Sequence, residues 1–178
     1  MISYEINPSS YFKANQVYCL EIEQLFENLN LECEGECNSW GYEFYVSFVK
    51  NNISLDFRFY KETITRSGSI VPQDSAISEG LDIEISPLNK SHQLKIKQSN
   101  FKRLFMTKEM KEMVPSPYYF STNVILQNEV TKWVSLFEKY EMYLLKLKNG
   151  KLVLEINHRV EEPLKLISEL EPMIKFYI

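Results

Sequence analysis

The sequence predicts an α+β fold: a mainly antiparallel sheet built from consecutive hairpins, with an N-terminal, a central and a C-terminal helix packed on it. Two hairpin registers and one helical stripe carry that prediction. A two-residue turn at Asn149-Gly150 sets Lys148 opposite Lys151, Leu147 opposite Leu152, Leu145 opposite Leu154 and Tyr143 opposite Ile156. Residues opposite one another share a face of a sheet, so this register collects the large apolar pairs on one side. Asn-Gly also tolerates the positive φ angles of a type I′ turn. A turn at Asn51-Asn52 does the same for Phe48 with Leu55, Val46 with Phe57 and Phe44 with Phe59, leaving Tyr45 with Arg58 and Ser47 with Asp56 on the polar face. Between these hairpins Leu126, Val130, Trp133, Val134, Phe137 and Tyr140 recur at helical spacing and form one buried stripe.

The remaining elements follow in order. Residues from about Ser10 to Leu29 read as a helix with Tyr18, Ile22, Leu25, Phe26 and Leu29 inward and Glu21, Glu23 and Glu27 outward. It dissolves into Cys33-Glu34-Gly35-Glu36-Cys37, so residues 1–38 form an acidic helix and its connection. The stretch 62–80 is polar and reads as a long loop. Leu81, Ile83 and Ile85 alternate with Asp82 and Glu84, and Leu94 and Ile96 alternate with Lys95 and Lys97. Paired as a third hairpin, the two acids face the two lysines. Ser99 or Asn100 caps a short helix that carries Phe101, Leu104 and Phe105, with Phe101 on its core face, and Thr107 starts another turn ending before Pro115 and Pro117. Residues 118–157 are a β-α-β-hairpin unit. Pro163 opens the last helix, with Leu164, Ile167, Leu170 and Ile174 on one face and Pro172 expected to kink or interrupt it.

With 178 residues, 44% apolar, the chain is long and apolar enough for one domain with a real core. Its charge is unevenly spread. Acids dominate from Met1 to Glu43, with Lys13 the lone base, whereas Lys90, Lys95, Lys97, Lys102, Arg103, Lys108 and Lys111 stand against Glu109 alone. Two solvated faces of opposite sign are the stronger reading, and contact between the two ends, within the molecule or between copies, is the functional one. A net charge of −4, and Phe101 as the one aromatic among the bases from Lys90 to Arg103, argue against nucleic acid. Three cysteines, no basic-then-apolar leader and no apolar run long enough to span a bilayer lead to the expectation of a cytoplasmic protein, the alternative being a soluble domain of a membrane-associated one.

Chemistry-bearing patterns are sparse. Cys33-x-x-x-Cys37 lacks a second paired motif for zinc, Cys19, His92 and His158 being the other soft donors, and has one residue too many for a redox Cys-x-x-Cys. No nucleophile elbow, metal set or phosphate loop is present, so no catalytic, metal or cofactor residue is assigned and no cofactor is expected. Arg66-Ser67-Gly68-Ser69 could form a small anion nest, but a polar turn is the stronger reading. What remains is a flexible apolar edge, Met106, Met110 and Met113 beside Val114-Pro115-Ser116-Pro117, with Lys102 and Arg103 adjacent. The sequence therefore points to a non-catalytic protein-interaction or self-association module; for that edge ordinary packing under the sheet is the stronger reading, and a partner-binding lip the functional one. The alternative is a small-molecule binder or enzyme whose pocket, between sheet and helices, is lined from among eleven Tyr and eleven Phe.

Overall fold

A computed structural model describes residues 1–6, 10–64, 76–123 and 127–177 of the chain. The strands are β1 (Ile2–Tyr4), β2 (Glu34–Cys37), β3 (Gly41–Lys50), β4 (Ile53–Ile64), β5 (Ala76–Ser86), β6 (Leu94–Gln98), β7 (Tyr118–Thr122), β8 (Leu144–Lys148) and β9 (Lys151–Ile156). The helices are α1 (Ser10–Glu27), α2 (Asn100–Arg103), α3 (Lys108–Met113), α4 (Gln127–Lys139) and α5 (Pro163–Ile174), the last running into a 3₁₀ turn, Lys175–Tyr177. All nine strands join one sheet in the order β1-β2-β3-β4-β5-β9-β8-β6-β7, antiparallel throughout except for β1 beside β2.

Both hairpin registers stand as the alternation predicts. Phe48 faces Leu55, Val46 faces Phe57 and Phe44 faces Phe59 across β3–β4, and Leu147 faces Leu152 and Leu145 faces Leu154 across β8–β9. Asn51, Asn52, Asn149 and Gly150 all have positive φ, as the two type I′ turns require. Gly150 is doubly constrained: φ is +78°, and a Cβ there would lie 2.5 Å from the Leu88 carbonyl oxygen. Tyr143 departs from its expected pairing on the dry face. β8 starts one residue later and the Tyr143 ring is exposed, although its amide still donates to the Glu155 carbonyl.

The third hairpin does not form. β5 lies between β4 and β9, while β6 lies between β7 and β8. Alternation tells which face a strand buries but not which strand it joins. The apolar rows here match Leu81, Ile83 and Ile85 to Phe59, Phe57 and Leu55 on one side and to Ile156, Leu154 and Leu152 on the other. Strands β7 and β8 consequently run parallel with β6 between them, so β7-α4-β8 is a split β-α-β crossover. Part of the stretch 62–80, expected to be a loop, is strand instead. β4 continues to Ile64 and β5 begins at Ala76, and Arg66–Ser69 lie outside the described residues.

One face of the sheet carries the core. Phe44 stacks on Phe59 at 4.7 Å between ring centroids, and Phe26 of α1 sits against both Phe57 and Phe59. Val130, Trp133, Val134 and Phe137 bury the predicted stripe of α4, while Leu126 lies outside the described residues. The α5 face is Leu166, Ile167, Leu170, Met173 and Ile174, and the helix continues through Pro172. Each such side chain withdrawn from water contributes on the order of 2 kcal/mol. Glu23, expected outside, is 8% exposed, because its carboxylate accepts the Ile2 amide and the Tyr4 hydroxyl and so ties β1 to α1. Leu29 falls beyond the end of α1 and is exposed, and Leu31 packs on the core in its place.

Candidate interaction surface

The excursion between β6 and β7 is built by two short capped helices. The Ser99 hydroxyl accepts the Lys102 amide at the start of α2, and the Thr107 hydroxyl accepts the Met110 amide at the start of α3. Arg103 then locks them together. Its Nη1 donates to the carbonyls of Val114 at 2.6 Å, Tyr118 at 3.0 Å and Pro115 at 3.1 Å, and its Nη2 donates to Lys111 at 2.9 Å. The planar fork of a guanidinium serves several fixed acceptors at once, which an ammonium cannot. Lys111 Nζ adds a bond to the Leu104 carbonyl. Inside this mount Val114 is fully buried and Met106 is 8% exposed, with Met110 and Met113 half-buried against the core.

The five residues expected to form the binding lip thus divide. Met106, Met110 and Met113 face inward, Arg103 is spent on internal carbonyls, and Lys102 alone projects outward. The apolar surface here is made by other side chains. Phe101 is 71% exposed, Leu104 69% and Phe105 76%, and the two phenyl rings meet edge to face at 5.5 Å. Their spacing is that of a core face, on which Phe101 is expected inward. α2 is a single turn, however, and turns Arg103 to the protein instead.

On the sheet face opposite the core Tyr45 and Arg58 are exposed and Lys95, Lys97 and Lys146 are half-buried. Phe120 points to the core, so Tyr119 and Ser121 point to this open face, where Tyr119 faces Lys97 and Ser121 faces Lys95. On the other side Lys95 faces Lys146 and Lys97 faces Leu144. The Lys102 ammonium lies 6.0 Å from the centre of the Tyr119 ring. Lys95, Lys97, Lys102 and Lys146 therefore form one patch, and among the described residues none of them is in an ion pair. Partial burial, and then the ammonium groups of Lys102, Lys146 and Lys97, hold the Lys95 ammonium below its ordinary range. The acids expected opposite these lysines are occupied elsewhere: Asp82 by Arg58 at 3.1 Å and Glu84 by Lys151 at 2.6 Å.

Known protein families, curated protein sequences and solved structures yield no match to this chain. The polar clusters elsewhere in the fold are matched internally. Glu79 accepts the Tyr42 hydroxyl at 2.7 Å and Arg159 Nε at 2.8 Å, and Arg159 lies over the Tyr18 ring at 4.7 Å. Burial pushes the Glu79 carboxyl up, but the bonds from Tyr42 and Arg159 outweigh it and hold the carboxyl below its usual range. Cys37 shares a thiol hydrogen bond with Cys19 of α1, which raises Cys19 and lowers Cys37. Burial pushes Cys33 up to about 12. Among the described residues no group of three or more His, Cys, Asp or Glu is placed to hold a metal ion, and no helix is long and apolar enough to cross a membrane. Between the β3–β4 turn and α5 lies a cleft lined by Ile53, Leu55, Ile85 and Ile174, with the Lys50–Glu171 ion pair at its side.

Proposed function

We propose that this chain is a non-catalytic protein-interaction module whose working surface is the α2 turn, Phe101, Leu104 and Phe105. What carries the reading is the combination of wide exposure and rigid mounting in three large apolar side chains. Exposed aromatic anchors already held in place lose little freedom on binding, and aromatic residues dominate the centres of interfaces. Further support comes from the aromatic rings of the core. Among the described residues Phe26, Phe44, Phe48, Phe57 and Phe59 pack on one another between the sheet and α1. The Tyr18, Tyr42, Glu79 and Arg159 cluster is likewise closed on itself.

The test compares the wild-type chain with F101S/F105S, both shown folded by circular dichroism, as baits in extracts of the cells that make the protein. Quantitative mass spectrometry should recover a saturable partner, or the chain itself, on wild type and at least about tenfold less on the variant, the usual effect of removing interface anchors. Equal recovery of every protein on both baits would sink the proposal.

A further inference from the structure

Lys102 belongs to two features at once. It follows Phe101 in α2, and its ammonium lies over the Tyr119 ring on the open sheet face beside Lys97. The apolar turn and the lysine patch are thereby one continuous surface. Neighbouring strands lie ~4.8 Å apart and alternate residues on one strand ~7 Å apart, so Lys95, Lys97 and Lys146 span the width of a few carboxylates. Like charges directly opposite one another on a sheet are destabilising, and the Lys95–Lys146 pair is such a contact. A ligand that neutralised them would relieve it.

Building on the interaction surface proposed above, we propose that the partner offers a short acidic segment bearing large apolar side chains. Its carboxylates lie on Lys95, Lys97, Lys102 and Lys146 and its apolar groups on Phe101, Leu104 and Phe105. A nucleic acid fits the same lysines less well. The strip of open face on β9, β5, β4 and β3 carries Glu155, Asp82, Glu84, Asp56 and Glu43 against Arg58 and Lys151, so a polyanion tracking along the sheet meets more acids than bases once it leaves the patch. The whole chain is also acidic, with a net charge of −4. The open-face acids of a second copy are in part already paired, Glu43 and Asp82 with Arg58 and Glu84 with Lys151, and light scattering tests its acidic α1–β2 segment as the other occupant.

The experiment measures fluorescence anisotropy of three labelled probes: a short peptide alternating Glu with Leu and Trp, the same peptide with Lys for Glu, and a single-stranded oligodeoxynucleotide of similar length. Each is titrated with the full chain, with K95Q/K146Q and with F101S/F105S. The glutamate peptide should bind, weaken with added salt, and lose about tenfold or more in affinity in each variant, while the lysine peptide stays free. The proposal is overturned if the glutamate peptide binds K95Q/K146Q as it binds wild type, or if the oligonucleotide binds wild type at least as tightly. Light scattering on the same samples covers the second copy: a wild-type dimer that K95Q/K146Q dissolves would also overturn it. The two proposals fail separately. Partner recovery that depends on Phe101 and Phe105 but ignores K95Q/K146Q keeps the interaction surface and removes only the acidic segment.

Discussion

Arg103 and Val114 are joined by a 2.6 Å hydrogen bond from guanidinium to carbonyl, and with it the chain between β6 and β7 becomes a rigid bracket. Charge-assisted bonds of this kind contribute about 1.5–3 kcal/mol each when one partner is removed. Arg103→Ala should therefore lower global stability by about 2 kcal/mol and speed amide exchange between Lys111 and Tyr118 far more than elsewhere. Arg103→Lys should not restore it, since one ammonium cannot serve four carbonyls. Unchanged exchange in the alanine variant, followed by mass spectrometry, would show that the bracket stands without its pin.

Gly150 offers a second check. Alanine there must accept φ near +78° and approach the Leu88 carbonyl, so the β8–β9 turn or the passing chain has to move. The expected loss is about 2 kcal/mol or more, read from the urea midpoint. Asn149→Gly, at φ +55°, should stay within about 1 kcal/mol of wild type.

Acid should weaken the fold partly through Glu79. Its carboxyl titrates lower in the folded chain than in the unfolded one, so its contribution is full above the unfolded carboxylate range and falls away as the pH drops through the folded value. Glu79→Gln should cost about 1–2 kcal/mol at pH 7 and lose less than wild type between pH 5 and pH 3. Parallel stability curves for the two proteins across that window would remove Glu79 from the acid response.

The three thiols give a readout of opening. Cys19, Cys33 and Cys37 are all buried, so alkylation in native buffer should be slow and should follow local or global unfolding. Labelling that outpaces amide exchange in α1 and β2 would show that a thiol reacts without opening and would contradict this burial.

Much of the fold was legible because hairpins test themselves. A register that puts Phe44 on Phe59 or Leu145 on Leu154 also puts every neighbouring pair on its correct face, and a one-residue slip would spoil all of them. The placement of β6 had no such check. Its alternation fits any strand with the same period, and only the assembled sheet distinguishes Glu84 from Lys146 as the neighbour of Lys95. That single misplacement concealed the lysine patch, since it supplied the lysines with partners they do not have. The exposed turn was hidden for a different reason. Phe101, Leu104 and Phe105 keep the spacing of a buried stripe, and what turns them outward is Arg103, whose four acceptors are backbone atoms invisible to side-chain pattern.

The strand order also bears on how the protein comes into being. β8 and β9 occupy the middle of the sheet, joining β5 to β6, yet they leave the ribosome after the other seven described strands. Until they arrive, β5 and β6 each present an unpaired edge, and the two blocks on either side have no strand in common. A message truncated ahead of Leu144 would thus yield not a smaller version of this protein but two pieces with sticky margins, the kind of species that chaperones hold and proteases remove.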